Sequence, residues 1–286
     1  MLLTLADKPP EGDDWIHEIK YDGYRTILAV DGPRTRAFTR NGFDWTAKYG
    51  PIVSEAAALP CSTAIIDAEM IVQNAEGVSD FHDLRSAIRT QPERLALYAF
   101  DLLMLDGHDL RSMDLTERRH LLEDLIGHEA EGRIHFSSSV EGNGAEFFRA
   151  ADRLGLEGIV SKRADSRYIT GERFRQWLKT KTFAVGEFEV VGVEKSSTGI
   201  PIALLARGDD YVGNAMIILG GKSRAEFWRR IDALGTPHAR LLKLHKRNAK
   251  WIGPGLIATV RHLRGEEKLR HATIMSVREA DRPGVA

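Results

Sequence analysis

Turn signals constrain this chain more than any other feature. Asp22-Gly23, Asp31-Gly32 and Asn41-Gly42 divide residues 15–42 into short runs rich in β-branched and aromatic side chains. Runs that short cannot sustain helices, and such dipeptides favour tight hairpin turns. Strands are expected at Trp15–Lys20, Tyr24–Val30 and Arg36–Arg40, joined as an antiparallel meander rather than a βαβ unit, with Asp22-Gly23 as one of its turns. Ser62–Val72 and Leu95–Leu105 are longer and more apolar and read as further, more deeply buried strands.

Helices follow. Asp114, with Glu117 three residues on, forms a capping signal for Leu115–Ile126; Leu121, Leu122 and Leu125 supply an apolar face and Gly127 a stop. Ala145–Leu154 ends at Gly155, and Gly158–Arg163 reads as a strand. After Lys181 the pattern becomes β-rich: Phe188–Val193, Pro201–Ala206, Tyr211–Leu219, Leu256–Leu263 and Leu269–Val277 are expected strands. One helix, Ser223–Leu234, interrupts them with a Ser223…Glu226 capping box. Five strands and one helix suit a small barrel such as an OB-fold. The domain division is expected at 1–183 and 184–286.

The 286 residues suffice for two ordinary domains with real cores. Cys61 is the single cysteine, so intrachain disulfides are excluded and thiolate metal clusters are not expected, which suits a reducing cytoplasm. No apolar run reaches membrane-span length, and the N-terminus turns acidic too early for a signal peptide. The net charge of −1 conceals an asymmetry. Residues 222–286 hold 15 Lys and Arg against 6 Asp and Glu, so the negative balance falls entirely on the earlier residues. A basic end on an acidic body points to a polyanionic partner; a solvated basic face explains the charge equally well.

Several polar groups interrupt apolar strands, where they cost free energy unless paired or used. Asp67 and Glu69 break "AIIDAEMIV", Asp101 follows Phe100 in "LYAFDLLMLDG", and Glu157 opens "EGIVSKR". Lys179 and Lys181 alternate in "WLKTK", so both face one side of an extended strand. Singly, each has a plain explanation: strand carboxylates face solvent, and lysines protect edge strands. Lys20, in "HEIKYDGYR", is on the same footing, a surface lysine beside a turn. His17, His82, His108 and His271 lack zinc-site spacing and receive no role. Trp228 and Trp251 could stack on bases but fit a buried core better.

Taken in order, "EIKYDGYR", "TRNG", "DAEMIV", "FDLLMLDG", "EGIVSKR" and "WLKTK" resemble the successive motifs of the covalent nucleotidyltransferases: ATP-dependent DNA ligases, RNA ligases and mRNA-capping enzymes. Lys-X-Asp-Gly alone is a weak signal; the ordered set across 18–181 is a strong one. "HEIKYDGYR", "RNGFDWT" and "LRHATIMSVRE" resemble the ligase module of bacterial end-joining DNA ligases, so the likeness spans nearly the whole chain. It implies an α+β protein: an antiparallel-sheet nucleotidyltransferase (ATP-grasp-like) domain followed by an OB-fold β-barrel domain.

The resemblance makes Lys20 the nucleophile, adenylylated by ATP with release of pyrophosphate. AMP then passes to the 5′-phosphate of a nick, and the 3′-hydroxyl displaces it. An amine attacks phosphorus only when neutral, a form favoured by nearby cations, a metal ion or desolvation; Lys179 and Lys181 are placed to act in this way while contacting the α-phosphate. By matching position Glu18 and Ile19 meet the adenine, Phe100 stacks on it, and Arg25 and Arg40 reach ribose or phosphates. Glu69 holds ribose or metal, and Glu157 the metal, Mg2+ or Mn2+. Arg163 and Arg173 are weaker phosphate candidates.

Implied partners are nicked duplex DNA, gripped by the basic barrel, and a recruiter such as Ku or another end-joining protein; a cytoplasmic, nucleoid-associated monomer is expected. The tail departs from the family's Arg-X-Asp-Lys-like end: Arg278, Asp281 and Arg282 are shifted by one, with arginine in the lysine's place. The motifs begin almost at the first residue, without a helical DNA-binding, polymerase or nuclease module, so a minimal ligase is expected. The alternatives are an RNA ligase, a capping-type guanylyltransferase using GTP, or a non-catalytic nucleic-acid-binding relative.

Overall fold

The structure, a computed structural model, describes residues 1–127, 132–196, 198–239, 244, 246, 248–264 and 268–280, and of Arg173 the backbone alone. Two compact units result, Met1–Thr182 and Phe183–Ala286.

The first unit opens with β1 (Leu2–Leu5), β2 (Trp15–Ile19), β3 (Tyr24–Val30) and β4 (Arg36–Thr39). Helix α1 (Gly50–Ala56) precedes β5 (Ala64–Ile71), and α2 (Phe81–Thr90) precedes β6 (Ala96–Leu105) and β7 (His108–Asp109). Then come α3 (Leu115–Ile126), β8 (Ile134–Phe136), β9 (Ser139–Glu141), α4 (Gly144–Arg153), β10 (Gly158–Arg163) and β11 (Arg173–Lys181). The α3 capping box forms as expected, Asp114 and Glu117 each accepting from the other's end of the first turn.

These strands build two sheets. One has the order β1-β11-β10-β2-β9; the other runs β4-β3-β5-β6-β7, with β8 beside β6. The meander expected through Asp22-Gly23 is therefore wrong. β2 pairs with β10 and β9, and β3 with β4 and β5, so residues 20–23 carry the chain from one sheet to the other. Gly23 is needed there for a close approach: a Cβ on it would lie 2.2 Å from the Met70 carbonyl oxygen. The main core packs Leu28, Ile66, Met70 and Leu97 of the second sheet against Ile52 of α1, Leu84 of α2 and Leu122 of α3. Each such side chain contributes about 1.5–3 kcal/mol on burial.

The second unit comprises β12 (Phe183–Lys195), β13 (Pro201–Arg207), β14 (Asp210–Met216), α5 (Gly221–Ala233), β15 (Gly235–Thr236), β16 (Lys250–Ile252), β17 (Leu256–Leu263) and β18 (Thr273–Glu279). The long β12 pairs with β13 at one edge and β17 at the other. This closes a barrel in the order β12-β13-β14-β18-β17, with β14 and β18 parallel through Met216 and Thr273. That is an OB-fold, its helix between the third and fourth barrel strands. Phe227 and Ile231 of α5 join the barrel core. The Ser223…Glu226 box does not form: the N-cap is Gly220, and Glu226 accepts from Arg229 and Arg230 instead. The last strand starts at Thr273; Leu269 makes only an isolated bridge to Gly213.

Candidate active site

Strand register assembles the site. Glu18 lies opposite Val160, and Val160 opposite Lys179. The Lys20 N–H donates to the Gly158 carbonyl at 3.0 Å, and Gly158 faces Lys181. Directly opposed residues share a sheet face. Glu18, Lys20, Val160, Lys162, Trp177, Lys179 and Lys181 thus project from one face across three strands. Gly158, between Lys20 and Lys181, has φ +152°, and a Cβ there would meet the Thr180 carbonyl oxygen at 2.2 Å. Only glycine fits, which explains the Glu157-Gly158 pair.

The other sheet supplies the second wall. Arg25 of β3 is opposite Glu69 of β5, and Phe100 comes from β6. Between the walls lies an inner slot lined by Leu3, Glu18, Ile19, Lys20, Tyr21, Arg25, Glu69, Phe100, Ser137, Val160, Lys162 and Trp177. An outer cleft includes Lys20, Arg25, Arg40, Asn41, Phe43, Trp45, Glu69 and Lys179. Lys20, Arg25 and Glu69 line both, where an apolar slot meets a polar mouth. A more open cleft, lined by Thr116, Glu117, Arg119, His120, Glu123 and Glu141, contains neither Lys20 nor a candidate metal carboxylate.

Charges inside are paired in a definite pattern. Lys20 Nζ donates to Glu157 Oε2, while Lys181 Nζ sits 2.7 Å from Glu157 Oε1. One buried carboxylate therefore holds two ammonium groups. The nearest charged group to the Lys20 amine is Glu157, whose other oxygen holds the Lys181 ammonium. Glu69, half-buried, makes no hydrogen bond or ion pair to the described residues. Desolvation pushes its carboxyl up to about 8; Glu157 and Asp67 add repulsion, and Lys20 and Arg25 oppose it.

Glu18 is enclosed at the slot's inner end. Its Oε1 accepts from Lys162 Nζ at 2.6 Å and Arg119 Nη1 at 3.0 Å, and its Oε2 from Ser137 Oγ at 3.1 Å. Lys162 Nζ also lies 4.4 Å from the Phe100 ring centre and 4.5 Å from that of Trp177, and burial drives its pKa down. Arg25 is largely committed to protein: a bidentate pair with Asp67 at 2.9 and 2.6 Å, the Met1 carbonyl, and the Tyr168 hydroxyl at 3.2 Å. Asp101 pairs likewise with Arg118 at 2.8 and 2.9 Å. The carboxylates of Asp67 and Asp101 are thus fully buried partners of arginines, not solvent-facing groups.

Among the described residues no three His, Cys, Asp or Glu side chains converge as a metal cage. Glu69 and Glu157 nonetheless fit a magnesium ion that takes one or two protein carboxylates and completes its shell with phosphate oxygens and water. The Glu69 carboxylate, which makes no hydrogen bond or ion pair to the described residues and feels the charges of Lys20 and Arg25, is the observation in favour.

Ten predicted site residues, Glu18, Ile19, Lys20, Arg25, Arg40, Glu69, Phe100, Glu157, Lys179 and Lys181, gather around these two cavities, Arg40 at the exposed lip. Arg163 does not; it pairs at the surface with Asp165 and Asp14. The Arg173 side chain, Asp281 and Arg282 lie outside the described residues. Arg278, of the second unit, is held by Glu187 at 2.7 and 3.0 Å. His17 is structural, bonded to Ser161 Oγ and the Gly142 carbonyl. Sequence reasoning missed Arg119, Ser137, Val160, Lys162 and Trp177. The signal for Arg119 was present: positions 118 and 119 fall between Leu115 and Leu122, on the helix face that must be buried.

The chain is similar in sequence and fold to known proteins. The family model described as "ATP dependent DNA ligase domain" matches residues 6–181. The multifunctional non-homologous end joining protein LigD of Pseudomonas aeruginosa is 35% identical over 192 residues, covering 67% of this chain and 23% of that protein. LigD of Mycobacterium tuberculosis is 29% identical over 287 residues, covering 96% of this chain and 37% of that protein. The chain thus spans only about a quarter to somewhat over a third of these relatives. Among solved structures, mycobacterial DNA ligase D complexed with ATP and MES aligns with TM-score 0.60 and 27% identity, over 99% of this chain and 95% of that one. The ligase domain of M. tuberculosis LigD aligns with TM-score 0.61 and 26% identity, over 97% and 93%.

Proposed function

The chain belongs to the ATP-dependent DNA ligase domain family, and from that premise we propose that it seals nicks in duplex DNA through a covalent lysine–AMP intermediate. One observation carries this reading. Lys20 Nζ stands where the apolar slot meets the polar cleft, bonded to a carboxylate that can receive its proton, with Glu69 lining the same junction.

The slot takes the adenine between Phe100 of one sheet and Val160 of the other, with Glu18 and Ile19 at its edge. Arg25, Arg40, Lys179 and Lys181 face ribose and phosphates in the outer cleft. Lys20 gives a proton to Glu157 and its neutral amine attacks the α-phosphorus. A P–N bond forms, the amine sheds its second proton to solvent, the α–β P–O bond breaks, and pyrophosphate leaves with the electron pair. An oxygen of the nick's 5′-phosphate then attacks the same phosphorus, releasing Lys20, which regains two protons, one from Glu157 and one from solvent. Finally the 3′-hydroxyl attacks the 5′-phosphate, forming the phosphodiester and releasing AMP. A Mg2+ or Mn2+ ion held by Glu69 and Glu157 would neutralise charge on the phosphates. Alignment and electrostatics do the rest.

The basic residues of the barrel unit suit sequence-independent, salt-sensitive contact with duplex phosphates. Non-homologous end joining, named for the LigD relatives, supports DNA repair in the cytoplasm as the setting and Ku or another end-joining protein as recruiter. The test is label transfer from α-labelled ATP: wild-type protein becomes labelled, and Lys20→Ala loses transfer entirely. Undiminished label on the Ala variant would refute the nucleophile. GTP beside ATP, and nicked RNA beside nicked DNA, would expose a capping enzyme or RNA ligase.

A further inference from the structure

Two neighbouring arginines on α3 are both buried, and their partners divide them. Burying a guanidinium is costly unless its donors are satisfied. Arg118 meets that cost with Asp101 and the carbonyls of Met113, at 2.7 Å, and Ser166, at 2.9 Å. None of the three lines the nucleotide slot. Arg119 reaches Glu18 Oε1 at 3.0 Å, the Phe100 carbonyl at 3.2 Å, the Ser137 carbonyl at 2.6 Å and Ser139 Oγ at 3.2 Å. Glu18, Phe100 and Ser137 all line the slot. Glu18 belongs to one sheet and Phe100 to the other, so one guanidinium spans the gap between the two walls at their inner end.

We propose that Arg119 is a positioning residue that fixes the width and polar edge of the nucleotide slot, and so sets ATP affinity and base choice without touching the phosphate chemistry. The inference rests on the reading that this slot receives the base of ATP. Geometry supports it independently of any ligand. A planar fork holding two carbonyls and a carboxylate leaves little freedom in the separation of those walls. A lysine in its place keeps the charge against Glu18 but cannot reach all four acceptors.

The experiment compares Arg119→Lys with wild type and with Arg118→Lys, a buried, paired change on the same helix that leads away from the slot. For lysine adenylylation, Arg119→Lys should raise the KM for ATP about tenfold, the worth of roughly one lost buried hydrogen bond, while kcat stays within about threefold. The preference for ATP over GTP should narrow. Arg118→Lys should lower thermal stability and leave KM and base preference as in wild type. Equal KM changes in both variants, or an unchanged KM in folded Arg119→Lys, would overturn the proposal, since burial alone would then be the role.

Should Arg119→Lys fail to fold, Ser137→Ala, which removes only the hydroxyl on Glu18 Oε2, should shift KM in the same direction; no shift counts against the proposal. AMP titration by calorimetry separates this claim from the function beneath it. If wild type binds AMP yet takes no label, the ligase reading fails while weaker AMP binding by Arg119→Lys still upholds the strut, and equal binding removes it. If wild type does not bind AMP, both fall.

Discussion

Met1–Thr182 and Phe183–Ala286 handle charge in opposite ways. All the buried polar and charged side chains among the described residues, from His17 to Thr182, belong to the first unit. The barrel core holds Phe188, Leu205, Phe227, Ile231 and Val260 and their like, with its ion pairs, such as Arg278–Glu187 and Arg229–Glu226, left near solvent. A fold needs no buried ions for stability, since well-packed apolar groups serve as well or better. Of the buried charged groups, Glu18, Arg119, Glu157, Lys162 and Lys181 lie at or beside one slot and Asp67 holds Arg25 of its lining, while Arg118 and Asp101 pair away from it. The buried charges therefore mark the site, and the barrel shows what the same chain does where no pocket must be built.

The comparison can be broken most sharply at Asp101. Asp101→Ala leaves Arg118 buried and uncompensated, and urea unfolding should show a loss of about 3–5 kcal/mol. Asp101→Leu combined with Arg118→Met should recover much of it while adenylylation persists, because that pair does not line the slot. A smaller effect concerns Glu69. Its folded carboxyl, pushed from 4.5 up to about 8, keeps its proton across a range where the unfolded chain has released it. Stability of the protein without nucleotide or metal should therefore fall as pH rises from about 4.5 to about 8, then level off. Comparison with Glu69→Gln, which removes that slope, should isolate a difference on the order of 1–3 kcal/mol, the full linkage value being reduced by solvent screening of a half-exposed group. The smallest effect belongs to the barrel: Glu187→Ala breaks an exposed pair with Arg278 and should cost less than about 1 kcal/mol by thermal unfolding.

Local chemistry was legible where it decided the outcome. Asp114 and Glu117 marked the start of α3, and the runs Tyr24–Val30 and Leu256–Leu263 formed strands with those bounds. The hairpin at Asp22-Gly23 failed because turn chemistry does not say which strands pair. Gly23 is demanded by the nearness of Met70 on the neighbouring strand β5, a contact 47 residues apart in the chain that no local pattern carries. Ser223 does not cap because the helix begins earlier, at Gly221 with Gly220 as N-cap, which leaves Ser223 inside the first turn and Glu226 paired with Arg229 and Arg230. In the site, carboxylates interrupting apolar strands stood out at once. Their partners did not: Arg119 is 101 residues from Glu18 in the chain, and Lys162 became visible only once β10 lay beside β2.

The crossing from β2 to β3 has a mechanical consequence. Its four residues, Lys20 to Gly23, reach at most about 14 Å when fully stretched. The amine thus rides on a short leash between two plates, and any parting of the plates drags it along. An extra residue inserted there would slacken that leash and leave both plates intact, uncoupling reactivity from the grip on the nucleotide.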